Sequence, residues 1–220
     1  NVSFPAKVTA LLYNRFKAGK GKMLFLPVEL IENNADELKA CILKYAELWS
    51  LGDEFKAYVN SCSFCNTLVD RIVSGHDDSS KDKCSVNCEP YASWIIQADD
   101  YCRELLPIDT LEGIVFADDI LPYRTRKVRI LNGTHTMSVL AAYQCGISIV
   151  RDMMQDDVFA KYINLGLEEI KSTLALDKAS LDDYANSVLD RFNIPFIDHR
   201  LLDIALNSVS KFSARCLDSM

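Results

Sequence analysis

The sequence is short of the features that would set it apart from ordinary globular proteins. No apolar run in its 220 residues reaches the roughly 20 residues that span a bilayer, and no signal-peptide pattern opens it. Positive charge is in deficit: a net charge of −7 argues against nucleic acid or an anionic membrane as a general partner. Cysteine is too sparse for a disulfide scaffold, and eight thiols in a chain of this length read as free cysteines in a reducing cytosol. A glycine-rich phosphate loop is missing as well. Gly19-Lys20-Gly21 is no dinucleotide fingerprint, because position 24 is leucine and no strand precedes it. There is no internal repeat.

What is present suits one large domain or two small ones with a sizeable core, at 49% hydrophobic and 25% charged residues. Pro5–Lys17 carries Val8, Leu11, Leu12 and Phe16 at helical spacing. Met23–Val28 is a continuous apolar run of the kind found in buried parallel strands. Asn34 is placed to cap an amphipathic helix over Ala35–Ser50, with Leu38, Ile42, Tyr45 and Leu48–Trp49 inward. Phe55–Asn60 is helical, and Asn66–Val73, Trp94–Gln97 and Gly113–Ala117 are strands or extended. Ser74–Pro90, centred on Asp77, Asp78, Ser79, Ser80 and Lys81, is polar and loop-like. After Asp118 the period is helical throughout: Tyr123–Cys145, Ile147–Met154, Asp157–Leu174, Ser180–Phe192 and Phe196–Leu217. The pattern predicts a mainly α chain with an α/β N-terminal remnant over residues 1–118 and a helical domain over 119–220.

Tyr123–Thr136 holds the candidate chemistry, Lys127, Asn132 and His135. At about 100° per residue these lie near 0°, 140° and 80° around a helix, so all three can face one cleft. A lysine that can lose its proton, beside an amide donor and an imidazole, is suited to moving a proton on and off a hydroxyl. Spacing alone favours a solvated basic helix with a satisfied histidine, since three polar residues on one helix are common.

The string Arg126-Lys-Val-Arg-Ile-Leu-Asn-Gly-Thr-His-Thr136 resembles the active-site helix of the polyol-specific long-chain dehydrogenases, the mannitol dehydrogenase family. Phe4–Tyr13 with Leu26–Asn34, then Asn66–Ser74, then Arg191–Lys211 agree in the same order, so the resemblance covers nearly the whole chain. Its hexuronate-reducing branch is the most similar. The resemblance implies NAD(H)-dependent interconversion of a six-carbon keto-uronate and an aldonate, without a metal. It implies Lys127 as general acid and base, Asn132 as donor to the substrate oxygen, and His135 as a positioning group. Lys127 must then be depressed from about 10.4, and burial with Arg124, Arg126 and Arg129 nearby would push that way.

The resemblance also sets Val69-Asp70-Arg71 beside the nicotinamide, although the same residues read equally as a structural Asp–Arg pair ending a strand. Lys211 matches a substrate-contacting lysine, and Arg124 and Arg129 add positive charge for an anionic substrate. Glu29-Leu30 stands where mannitol dehydrogenases carry Asp-Asn, and leucine cannot donate to an oxyanion; Asp203 stands where they carry arginine. Both departures point to a substrate other than a neutral polyol. In the family a nucleotide-binding fold precedes the equivalent of Asn1 and more helix follows that of Met220, so this chain is expected to be the substrate half of an enzyme, inactive alone. The competing readings are a fructuronate reductase, a mannitol-type polyol dehydrogenase, and a non-catalytic helical module stapled by zinc through Cys62-x2-Cys65 and Cys84-x3-Cys88.

Overall fold

A computed structural model describes residues 3–76 and 79–220. Asp77 and Asp78, at the centre of the stretch read as a polar loop, lie outside the described residues. The chain divides into two compact units, residues 1–69 with 93–120 and residues 70–92 with 121–220.

The first unit opens with the helix Phe4–Lys17, started by Ser3, whose Oγ accepts from the Ala6 amide, and by proline in the first turn. Leu12 packs with Ile42, Ala46, Phe55 and Val59 from the helices Asn34–Leu48 and Asp53–Ser61, and Tyr13, Phe16 and Tyr58 ring that core. The run Met23–Val28 pairs in parallel as expected, but only Leu24–Phe25 forms a strand, against Ser63–Phe64. Two residues later the Pro27 carbonyl already accepts from the side chains of Asn34 and Thr67, which leaves nothing for a ladder to continue with. Asn34 is a correction. The residue before it, Asn33, turns left-handed at φ 48° and caps without a side-chain bond. The Asn34 amide instead donates to the carbonyls of Pro27, Glu29 and Thr67 and accepts from the Thr67 amide, each at 3.0 Å. Leu48 and Trp49, expected inward, are exposed, because they fall past the last turn that the core covers. A sheet places Ser93–Gln97 between Thr67–Asp70 and Ile114–Ala117, and the last two strands pair in parallel from Trp94↔Ile114 to Gln97↔Ala117.

The second unit begins at Asp70. Ser74–Pro90 is no featureless loop: Val73–His76 and Val86–Cys88 form an antiparallel hairpin with a register shift between Val73 and Gly75. Both strands are largely exposed, so no hydrophobic alternation marked them. Helices follow at Leu121–Arg126, Gly133–Gln144, Val150–Gln155, Asp157–Ser172, Lys178–Phe192, Leu201–Ala205 and Ser208–Arg215. Asp156 and Asp177 start two of them by accepting from amides two or three residues on. Leu181, Tyr184, Ala185, Val188 and Phe192 recur every three or four residues and bury one face of Lys178–Phe192. Two long helices expected from periodicity are broken. Phe196–Leu217 divides at Asn207, which is left-handed at φ 60°, and Tyr123–Cys145 contains a π-helical turn at Lys127–Asn132.

Candidate active site

The π-turn determines what the helical unit presents. Its i→i+5 bonding stacks residues five apart, so Lys127 and Asn132, its first and last residues, come to one face more directly than an unbroken α-helix would bring them. Such wide turns concentrate at functional sites, and nothing in the apolar period Val128–Ile130–Leu131 betrays one. His135 follows in the helix Gly133–Gln144, where Gly133 lets the Arg215 carbonyl approach: a Cβ there would stand 3.2 Å from that oxygen.

Lys127 is mostly buried, with Nζ 3.9 Å from Asp70 Oδ1. Burial lowers its pKa most, Asp70 opposes that, and Arg191 and Arg215 lower it further. The sequence pattern pointed to Arg124, Arg126 and Arg129 for the last effect; the cations that act come from other helices. Arg129 is instead held by Asp218 at 2.8 Å and by Ser219 Oγ at 2.7 Å. Arg126 donates to Ser180 Oγ and lies over the Tyr184 ring. Arg124 is half-buried in Leu121–Arg126, its pKa lowered by burial.

Asp70 is the hub of a buried network. The Arg191 guanidinium donates from Nη1 and Nη2 to the two Asp70 oxygens at 3.1 and 2.9 Å, and from Nε and Nη2 to the two Glu89 oxygens at 2.8 and 2.7 Å. Tyr184 donates its hydroxyl to Asp70 Oδ2 at 2.6 Å, and the Ile72 amide donates to Glu89. The Arg191 plane lies over Tyr91 at 4.2 Å. Arg71, expected to accompany Asp70, is exposed and donates Nε to the Glu89 carbonyl. Asp70 is therefore ion-paired as the structural reading allowed, but with Arg191 rather than Arg71.

His135 is buried, stacked on Phe192 and edge-on to His199 with centroids 5.4 Å apart. Its Nε2 has no hydrogen-bond partner among the described residues. Burial, then His199, Arg191, Arg215 and Lys211, hold its pKa well below 6.5, so the ring is neutral at pH 7. Lys211 donates to the Ile204 carbonyl at 2.7 Å, and Arg215 donates to Thr136 Oγ1 at 3.3 Å. Among the described residues neither forms an ion pair with an acidic side chain, and each is lowered chiefly by burial. Glu89, Arg191, Tyr184 and Arg215 were not singled out from sequence; a lone arginine on an amphipathic helix carries no signal until its partners are known. Glu29 and Val69 lie in the first unit, Glu29 exposed and Val69 within the strand Thr67–Asp70.

No disulfide joins the paired cysteines; Cys62 and Cys65 are buried in the first unit, and Cys84 is exposed in the second. No three His, Cys, Asp or Glu side chains converge as a metal site among the described residues. No described helix is long and apolar enough to cross a membrane.

Residues 2–110 match the family model described as mannitol dehydrogenase Rossmann domain, and residues 119–220 match that described as mannitol dehydrogenase C-terminal domain. An altronate oxidoreductase of Bacteroides thetaiotaomicron is 38% identical over 235 residues, covering 99% of this chain and 49% of that protein. One from Pectobacterium carotovorum is 40% identical, covering 100% of this chain and 48% of that protein. Among solved structures, Pseudomonas fluorescens mannitol 2-dehydrogenase, in ternary complex with NAD and D-mannitol, aligns at TM-score 0.77 and 22% identity over 99% of this chain and 46% of that one. A substrate-free D-sorbitol dehydrogenase aligns at TM-score 0.82 and 19% identity over 99% of this chain and 47% of that one. The chain spans about half the length of the curated relatives it matches.

Proposed function

The chain belongs to the mannitol dehydrogenase family, and from that premise we propose that its helical unit carries the acid–base and substrate-binding side of an NAD(H)-dependent oxidoreductase interconverting tagaturonate and altronate. The observation that carries the reading is the buried Lys127 beside Asp70, on the same π-turn as Asn132. When bound, NADH would supply the hydride in ketone reduction, and NAD would accept it in alcohol oxidation. Val69, Asp70 and Arg71 are the residues proposed beside the nicotinamide; these 220 residues contain no glycine-rich turn for a pyrophosphate.

In ketone reduction, protonated Lys127 gives its proton to the carbonyl oxygen as hydride reaches carbon. In oxidation the neutral amine takes the hydroxyl proton. Asn132 donates to the same oxygen, where negative charge develops, and a fixed donor there is worth more than one that must reorganise. His135, neutral and with Nε2 buried and unpartnered among the described residues, offers a hydrogen bond that a substrate hydroxyl would complete. Lys211 and Arg215 supply cations without acidic partners among the described residues, which favours a carboxylated sugar over a neutral polyol.

The test is NADH oxidation by the protein encoded by the intact gene, with tagaturonate, fructuronate and fructose as alternatives. Preference for fructuronate or fructose would move the assignment to the corresponding reductase or polyol dehydrogenase. Absence of turnover with all three would favour a non-catalytic module. The isolated 220 residues should bind NADH no more tightly than about millimolar, since the helix-terminal phosphate cradle is lacking; tighter binding by calorimetry would count against the division of labour.

A further inference from the structure

The network around Arg191 contains one more negative charge than that arginine can neutralise. Asp70 and Glu89 are both buried, and one guanidinium forks to both of them, using four of its five N–H donors. Had Arg191 met Asp70 alone, the two would close into a neutral pair with little field beyond it. Glu89 occupies the Nε edge of the guanidinium and is itself fixed by the Ile72 amide, so Arg191 is shared. The surplus charge needs a cation, and the one at hand is Lys127, 3.9 Å from Asp70 Oδ1. Lys127, by contrast, sits where burial favours its neutral form.

We propose that Glu89 and Arg191 are positioning residues for Lys127: by holding half of the guanidinium, Glu89 leaves Asp70 only partly compensated by Arg191 and so available as the counter-ion of the protonated amine. Glu89 and Arg191 touch neither substrate nor cofactor in this scheme and act through Asp70. The charged and titratable groups that bear on Lys127 are Asp70 and Glu89 on one side of the balance and Arg191 and Arg215 on the other, with Tyr184 holding Asp70. The inference rests on the proposed role of Lys127 for its significance, but its electrostatic content stands by itself.

The direction of the effect separates this role from a structural one. Glu89→Gln removes a negative charge and leaves Arg191 to pair with Asp70, so the Lys127 amine should give up its proton more easily. If Glu89 merely maintained the fold, the variant would loosen the site and Lys127 would drift up towards the value of an exposed lysine. The pH dependence of trace reductive methylation, read by mass spectrometry at Lys127, measures this in the 220-residue chain without any turnover. The expected result is a midpoint lower by about one pH unit in Glu89→Gln, a tenfold change in the protonation equilibrium, and lower again in Asp70→Asn. Glu89→Asp, which keeps the charge, should stay close to the parent. An unmoved or raised midpoint in Glu89→Gln overturns the proposal, as does an equal drop in Glu89→Asp. Should Glu89→Gln fail to fold, Asp70→Asn and Glu89→Asp decide: a midpoint that does not fall in the first, or falls as far in the second, overturns it. Because the readout is the amine itself, a failed search for hexuronate turnover would leave this result intact.

Discussion

The imidazole of His135 lies on the ring of Phe192 with centroids 4.3 Å apart and planes 17° apart. The two residues come from different helices, Gly133–Gln144 and Lys178–Phe192, and the stack seals the histidine from water. A neutral ring is thereby built into the fold.

That burial predicts an acid sensitivity with a definite sign. The unfolded imidazole titrates near 6.5, while the folded one stays neutral to well below that. Above 6.5 both states are neutral and nothing is linked to pH. Below it the unfolded chain binds a proton that the folded chain refuses, so stability falls as pH falls, by at most about 1.4 kcal/mol per pH unit for one group. His199, also lowered by burial, adds to the slope. His135→Phe keeps the stack and removes the titration. Urea midpoints from pH 7.5 to 5 should therefore diverge, the variant retaining more stability as the medium acidifies. Parallel curves would mean that His135 is protonated in the native state.

For Lys127 the prediction is kinetic and belongs to the protein encoded by the intact gene. Lys127→Ala should lower kcat by on the order of 10²–10⁴, the usual worth of a positioned acid or base, with NADH binding unchanged. A small primary amine in the buffer should restore part of the rate. In the parent enzyme, reduction should decline and oxidation should rise as pH passes the Lys127 pKa, which lies below 10.5 because burial disfavours the ammonium. His135→Ala should cost less and leave that pH dependence in place. A profile that vanishes with His135 and persists without Lys127 would reverse the two roles.

Much of the scaffold was legible because it obeys simple periods. The strands at Trp94–Gln97 and Gly113–Ala117 are apolar runs, and they pair in parallel at nearly those limits. Helix Lys178–Phe192 follows from Leu181, Tyr184, Ala185 and Val188. The failures fall where something other than the local side-chain period decides the outcome. Lys127–Asn132 looks α-helical by period, and its π-turn is a backbone choice that the side-chain pattern does not encode. Glu89, in a stretch that looked solvated, is fully buried, and its main partner, Arg191, lies 102 residues later. Lys127, Asn132 and His135 were singled out through resemblance to a family, whereas the charges that bear on Lys127 belong to residues that no local motif announces.

Asn34 offers a stability test of the same kind. It looked like a helix cap, worth about 1 kcal/mol if replaced by alanine. In the fold it is a buried staple with three carbonyls and one amide as partners. Asn34→Ala leaves the buried Thr67 amide without that acceptor and frees the Pro27–Glu29 segment, so the cost should reach about 2–4 kcal/mol. Chemical denaturation of the 220-residue chain measures it. A loss below about 1 kcal/mol would favour the capping role after all.

The last prediction concerns what the positive charge at Lys211 and Arg215 is for. Each cation is partly desolvated, and no acidic side chain among the described residues compensates either of them. Two such groups raise the free energy of the empty site, and an anionic ligand would recover it. Each is held by a neutral acceptor, the Ile204 carbonyl for Lys211 and Thr136 Oγ1 for Arg215, so neither has to be rebuilt when an anion arrives. Charge-assisted bonds of this kind contribute roughly twice as much as neutral ones, and a bidentate guanidinium–carboxylate contact adds orientation. In the protein encoded by the intact gene, Lys211→Ala and Arg215→Ala should raise KM for a keto-uronate by about tenfold or more, in line with about 1.5–3 kcal/mol for a hydrogen bond to a charged group. KM for fructose, which has no carboxylate, should change far less. High salt should weaken the keto-uronate alone, as screening acts on the anionic substrate. Equal losses for both substrates would show that these two residues shape the pocket rather than read the charge.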